Sequence, residues 1–126
     1  MATCNENGVY QADETLELPH TAKGWRGGPI GQIRLADLGT YWIWATSYQL
    51  HSGNWEGASS PLSDHEPTPY SDHRAPTREA AIKAASVELR RRLSKRAAEN
   101  DRDACAVTAW LETLIPDQLD LFGAAA

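Results

Sequence analysis

Apolar and polar positions alternate most regularly between Gln32 and Leu50. Residues 32–38 place Ile33 and Leu35 on one face, Gly39-Thr40 supplies a turn, and 41–50 is dense in aromatic and β-branched side chains. The two segments are predicted to pair as a hairpin. In the second strand Trp42, Trp44, Thr46, Tyr48 and Leu50 point one way and Tyr41, Ile43 and Ala45 the other. With both faces substantially apolar, that strand is expected at the centre of a sheet. A third, weaker strand is expected from about Trp55 to Leu62, after the turn His51-Ser52-Gly53-Asn54. Residues 1–29 are polar and punctuated by glycine and proline, ending in Gly24-Trp25-Arg26-Gly27-Gly28-Pro29. They predict an irregular arm pinned by Trp25.

Between Ser63 and Pro76 the prolines Pro67, Pro69 and Pro76 break helix and ladder alike, so a loop is expected. The period then becomes helical. Thr77 is a candidate N-cap, Glu79 lies in the first turn, and Ile82, Ala85, Leu89 and Leu93 recur down one side, predicting a helix over 77–97. Asn100 to Asp103 interrupts it and caps a second helix over 101–115, whose Val107, Trp110, Leu111 and Leu114 form a further apolar stripe ended by Pro116. The order predicts an α+β fold: a small antiparallel sheet built on the 32–38/41–50 hairpin, plus the third strand, packed against two C-terminal helices. Trp42 and Trp44 are expected in the core beneath Leu89 and Leu93.

Composition narrows the class. A chain of 126 residues with 41% hydrophobic content and five Trp supports one core rather than two, so 1–116 reads as one domain and 117–126 as a tail. No run approaches the roughly 20 apolar residues of a membrane helix, and Met1 to Glu6 lacks the basic-then-apolar order of a secretory signal. A cytoplasmic protein without a membrane partner is expected. Cys4 and Cys105 belong to no CxxC or Cys/His array, which predicts free thiols and neither a disulfide framework nor zinc.

The net charge of −5 argues against a general nucleic-acid binder, but it is unevenly spread. Residues 74–102 hold nine of the twelve basic groups against four acids, leaving three basic and thirteen acidic residues elsewhere. Arg90, Arg91, Arg92, Lys95 and Arg96 could meet several phosphates. Consecutive helical positions turn by about 100°, however, so the five cannot all face one ligand. Compensation of the helix dipole is the favoured reading. A stacking platform on Trp42, Trp44 and Tyr48 is likewise set behind core burial.

Chemistry-bearing motifs are sparse. Ser63-Asp64-His65 and Ser71-Asp72-His73 echo each other in the proline-rich loop, and Asp and His can ligate a metal or serve acid–base work. Their spacing fits turns better than a coordination sphere, because adjacent side chains in an extended loop point apart. There is no GxSxG elbow, no nucleophilic Cys signature and no phosphate-cradling glycine loop opening a helix. No enzyme, metal site or cofactor is expected.

The tail differs. Pro116 stops the helix, and Gln118-Leu119-Asp120-Leu121-Phe122 then places three large apolar groups near a chain end that would ordinarily be polar. This segment resembles the bacterial sliding-clamp-binding peptide, Gln-Leu-x-Leu-Phe, by which polymerases, repair proteins and some phage and plasmid proteins dock in one hydrophobic pocket of the replicative clamp. Every position is filled, with Asp120 at the variable centre. The resemblance implies that Gln118 hydrogen-bonds at the pocket entrance, Leu121 and Phe122 fill the apolar subsite, and Leu119 packs beside them. The structural alternative is a strap folded back over the sheet. The rest of the chain loosely resembles small uncharacterised proteins of proteobacterial plasmids, integrated elements and phages. Together these features predict a non-enzymatic accessory or regulatory protein of a mobile element or phage, brought to the DNA replication machinery through residues 118–122. The alternatives are an anti-defence inhibitor of the anti-CRISPR type acting by protein binding, and a nucleic-acid binder using the arginine-rich helix end.

Overall fold

The computed structural model describes residues 3–20, 27–51, 56–64, 66, 68–69 and 72–114. Its elements run β1 (Glu14–Leu18), β2 (Gly31–Asp37), β3 (Trp42–Leu50), β4 (Glu56–Ser59), β5 (Arg74–Ala75), α1 (Arg78–Ala98) and α2 (Arg102–Leu114). This is the expected α+β architecture, an antiparallel sheet in the order β1-β2-β3-β4 with β5 also paired to β3. The β2–β3 hairpin closes where expected: Leu38 N donates to Tyr41 O at 2.9 Å, and Gly39 takes φ +101°, a left-handed conformation natural to glycine. β3 is central, flanked by β2 on one side and by β4 and β5 on the other.

Three expectations need correction. The stretch 1–29 is not all irregular, because Glu14-Thr15-Leu16-Glu17-Leu18 forms β1 and pairs with β2. Strict alternation is present there, but its two glutamates are poor strand formers, tolerated because β1 is the last strand on its side of the described sheet. The third strand is shorter than 55–62; Glu56–Ser59 pairs with β3, and Pro61 lies beyond it. The 63–76 loop also contributes the short β5, opposite Trp42 and Ile43.

Both helices start as their capping residues dictate. Thr77 Oγ1 accepts from Ala80 N at 3.1 Å, and Asp101 Oδ1 accepts from Ala104 N at 3.0 Å. Asn100, at φ +62°, makes the turn between them. Helices and sheet enclose one main core. Ile33, Leu35, Trp44, Tyr48 and Leu50 from the sheet meet Ala81, Ile82, Ala85, Leu89 and Leu93 of α1 and Ala104, Val107 and Leu111 of α2. Trp44 is thus buried with Leu89 and Leu93, whereas Trp42 is only half-buried at its edge.

The α2 contact is tight at Gly31. A Cβ there would lie 3.1 Å from Val107 Cγ1 and 3.2 Å from Trp110 Cζ3. Gly31→Val is therefore expected to overpack this junction and lower stability by about 1–3 kcal/mol. An unchanged thermal midpoint would show that α2 can yield.

An ion pair fastens the edge strand to α1: Arg78 Nε and Nη2 donate to the two Glu14 oxygens at 2.6 and 2.5 Å. The hydrogen bonds from Arg78 hold the Glu14 carboxyl below its ordinary pKa, outweighing the effect of burial. A carboxyl with a depressed folded-state pKa contributes its full stability above the unfolded value and loses it as pH falls through the folded one. Glu14→Gln should consequently lower the melting temperature at pH 7, and the gap to wild type should close in acid below the ordinary carboxylate range. A gap independent of pH would contradict this pairing.

The second face of the sheet is divided. One half is apolar: Ala36, Ile43, Ala45 and Leu62 are buried beneath Tyr10, Ala12, Leu38 and Tyr41. The N-terminal segment covers it, with Tyr10 N donating to Leu62 O at 2.7 Å. In the other half the register aligns Glu17, Gln32, Ser47 and Ser59 in one polar row across the four strands.

Candidate functional site

The clamp-type residues Gln118, Leu119, Asp120, Leu121 and Phe122 lie outside the described residues, as does Pro116; the described body ends with α2 at Leu114.

The basic end of α1 does not form a single patch. Arg90 turns toward α2, with Nη2 4.0 Å from Glu112 Oε1. Arg91 and Arg92 both approach Glu88, at 4.0 and 3.9 Å. Lys95 is exposed. Arg96, only 20% exposed, is a structural hub: its guanidinium lies 3.0 Å from Glu56, 3.2 Å from Asp101 and 3.8 Å from Glu99. The hydrogen bond to Asp101 leads the interactions that raise its pKa. Arg96 thus joins β4, α1 and the α2 cap, so the set supplies fewer groups for phosphates than its sequence suggests.

The Asp-His echo is built into the scaffold. Asp64 Oδ1 accepts from Arg74 Nε at 2.8 Å, and its Oδ2 accepts from the Tyr41 hydroxyl at 2.5 Å. That hydrogen bond, with burial and the Asp64 charge, raises the Tyr41 pKa. Asp72 Oδ1 accepts from Arg74 N at 3.0 Å, an Asx turn leading into β5. His73 stacks on Trp44 with ring centroids 4.2 Å apart and planes 12° from parallel, while its backbone oxygen accepts from Trp44 N at 3.1 Å. Glu88 lies 3.9 Å beyond His73 Nε2 and accepts from Thr46 Oγ1 at 3.2 Å. His65 falls outside the described residues. Among the described residues, no three His, Cys, Asp or Glu side chains are grouped to hold a metal ion, and no helix is long and apolar enough to cross a membrane.

Two arrangements were not anticipated from the sequence. Asp103, 3% exposed, accepts from His51 N at 2.7 Å and lies 3.5 Å from His20 Nε2, with the two imidazoles edge to face at 5.8 Å. Residues 20, 51 and 103 form no spacing that could be recognised. The second is an open trough of about 570 Å³ on the polar half of the sheet, lined in part by Gly28, Ser47, Gln49, Gly57 and Ser59. Gln49 Oε1 accepts from Gly28 N at 2.8 Å, which fixes the wall. Only alternate positions of β3 face this side, and reading them past Ala45 to Ser47 and Gln49 would have shown the change to polar residues.

Compared with protein-family models, curated proteins and solved structures, the chain matches none.

Proposed function

We propose that this protein is a non-enzymatic adaptor, an accessory or regulatory protein of a mobile element or phage, that docks on the bacterial sliding clamp through residues 118–122. The carrying observation is the complete Gln118-Leu119-Asp120-Leu121-Phe122 pattern. The character of the body supports it. Among the described residues Val87, 61% exposed, is the one large apolar side chain strongly open to solvent, and its neighbours Lys83, Arg90 and Arg91 are charged. Every other large apolar side chain among the described residues is at most half-exposed. The tail sequence supplies three such side chains within four positions.

Calorimetry of the full chain against purified bacterial sliding clamp tests the reading. Binding in the micromolar range is expected, with no measurable heat for a chain ending at residue 116. A full chain that does not bind, or a shortened chain that binds equally well, would refute clamp docking through this segment.

A further inference from the structure

The polar trough and the arginine beside it point to a function separate from the tail. Arg34 projects from β2 on the second face of the sheet, opposite Ala45 in the register and so at the boundary between its covered apolar half and its polar half. It is half-buried, its Nη2 donates to Ser60 O, and the same nitrogen lies 3.5 Å from Ser59 Oγ. Its Nε is buried and has no hydrogen-bond partner among the described residues. Arg74, Arg78, Arg92 and Arg96 each have a carboxylate within 4 Å, but among the described residues Arg34 has none. Burial lowers its pKa, as expected for a cation withdrawn from water without a counter-charge. A guanidinium is built to hold oxyanions through several N–H groups at once.

Ser59 also lines the trough, so the guanidinium stands at its border. Across the floor, Gln49 commits its carbonyl oxygen to Gly28 N, leaving its amide N–H groups as the end offered to a ligand, and Ser47 and Ser59 add hydroxyls. The floor is kept low at Gly57, where a Cβ would come within 3.0 Å of Tyr48 O. The far end of the polar row is acidic: Glu17 Oε2 accepts from Gln32 Nε2 at 3.1 Å. Glu56 also lines the trough, but its carboxylate accepts from Arg96 Nη1 at 3.0 Å and from the Tyr48 hydroxyl at 3.3 Å, which offsets its charge, so an anionic group is drawn to the Arg34 end and repelled from Glu17. A volume near 570 Å³ lies inside the range of small-molecule sites, about 300–1,000 Å³.

We propose that this trough binds a small polar molecule bearing an oxyanion, phosphate or carboxylate, with Arg34 as the charge anchor and Ser47, Gln49 and Ser59 as hydrogen-bonding positions. The inference is independent of the clamp reading, because it rests on the sheet and not on the tail.

Amide NMR of the full chain, titrated separately with inorganic phosphate and with citrate at constant ionic strength, provides the test. At least one anion should give saturable shifts at Ser47, Gly57, Ser59 and the Gln49 side-chain amide, and the responding arm identifies the oxyanion. Affinity should fall at least tenfold in Arg34→Gln and stay within twofold of wild type in Arg90→Gln. Should Arg34→Gln fail to fold, the Ser47→Ala, Ser59→Ala double variant must show the same loss. The proposal fails if neither anion saturates these positions, if shifts centre on the basic end of α1, or if every folded trough variant binds as wild type does.

Discussion

Replacing Trp44 by Ala is expected to destabilise the domain by about 3–5 kcal/mol, the range for removing a large buried aromatic side chain from a packed core. The indole is 4% exposed and belongs to the same cluster as Leu89 and Leu93. Its outer ring face is also occupied, since His73 stacks on it at 4.2 Å. Truncation therefore opens a cavity beneath α1 and leaves the imidazole without the surface that orients it, beside the β5 pairing that begins at Arg74. For a chain of this length such a loss corresponds to a fall of roughly 10 °C or more in thermal midpoint. Trp44→Phe, which retains an aromatic surface, should recover part of the fall. A Trp44→Ala midpoint equal to wild type would mean that the indole contributes nothing to the core and would return the aromatic strand to consideration as a binding platform.

The second large effect concerns binding rather than folding. Leu121→Ala combined with Phe122→Ala is expected to abolish clamp affinity while moving the melting temperature little. Burial of one Leu or Phe is worth roughly 1.5–3 kcal/mol. Two such anchors, with Leu119 and a hydrogen bond from Gln118, can reach the roughly 8 kcal/mol of micromolar binding only if little is spent on ordering the peptide. Removing both should leave no measurable complex. Calorimetry and a thermal melt of the same double variant separate the outcomes. Loss of binding with an intact melt supports a docking peptide, whereas a collapsed melt together with a wild type that ignores the clamp identifies a structural strap.

What could be read from the sequence was what is encoded locally. The β2–β3 hairpin has alternating strong strand formers on both sides of a glycine turn, and α1 and α2 carry their caps at Thr77 and Asp101. β1 was illegible because Glu14 and Glu17 disguise a strand that exists only through its pairing with β2, whereas β4 was legible as a weak third strand but not in its length, because Gly57 and Ala58 carry little strand propensity. The tail motif is linear and so was visible at once. The trough was not, because Arg34, Ser59 and Gln49 meet only once the β2–β3–β4 register is set. That Arg34 has no carboxylate beside it among the described residues is a property of three-dimensional neighbours, which the charge count over 74–102 could not reveal.

The bonds that close this fold span long stretches of chain. His51 reaches Asp103 across 52 positions, and Arg78 reaches Glu14 across 64. Closing loops of that length carries an entropic penalty that contacts made early cannot offset, and chains rich in such contacts fold more slowly than those built from local ones. The β2–β3 hairpin and α1 are built from local contacts and are therefore the elements expected to form early. β1 pairs with β2 and α2 packs on α1, but each is also tied to a distant segment, β1 through Glu14 to Arg78 and α2 through Asp103 to His51. Folding is thus expected to begin in the middle of the sequence and finish at both ends, so that the Asp103 contacts and the Glu14–Arg78 pair act as late closures that complete the native state without nucleating it.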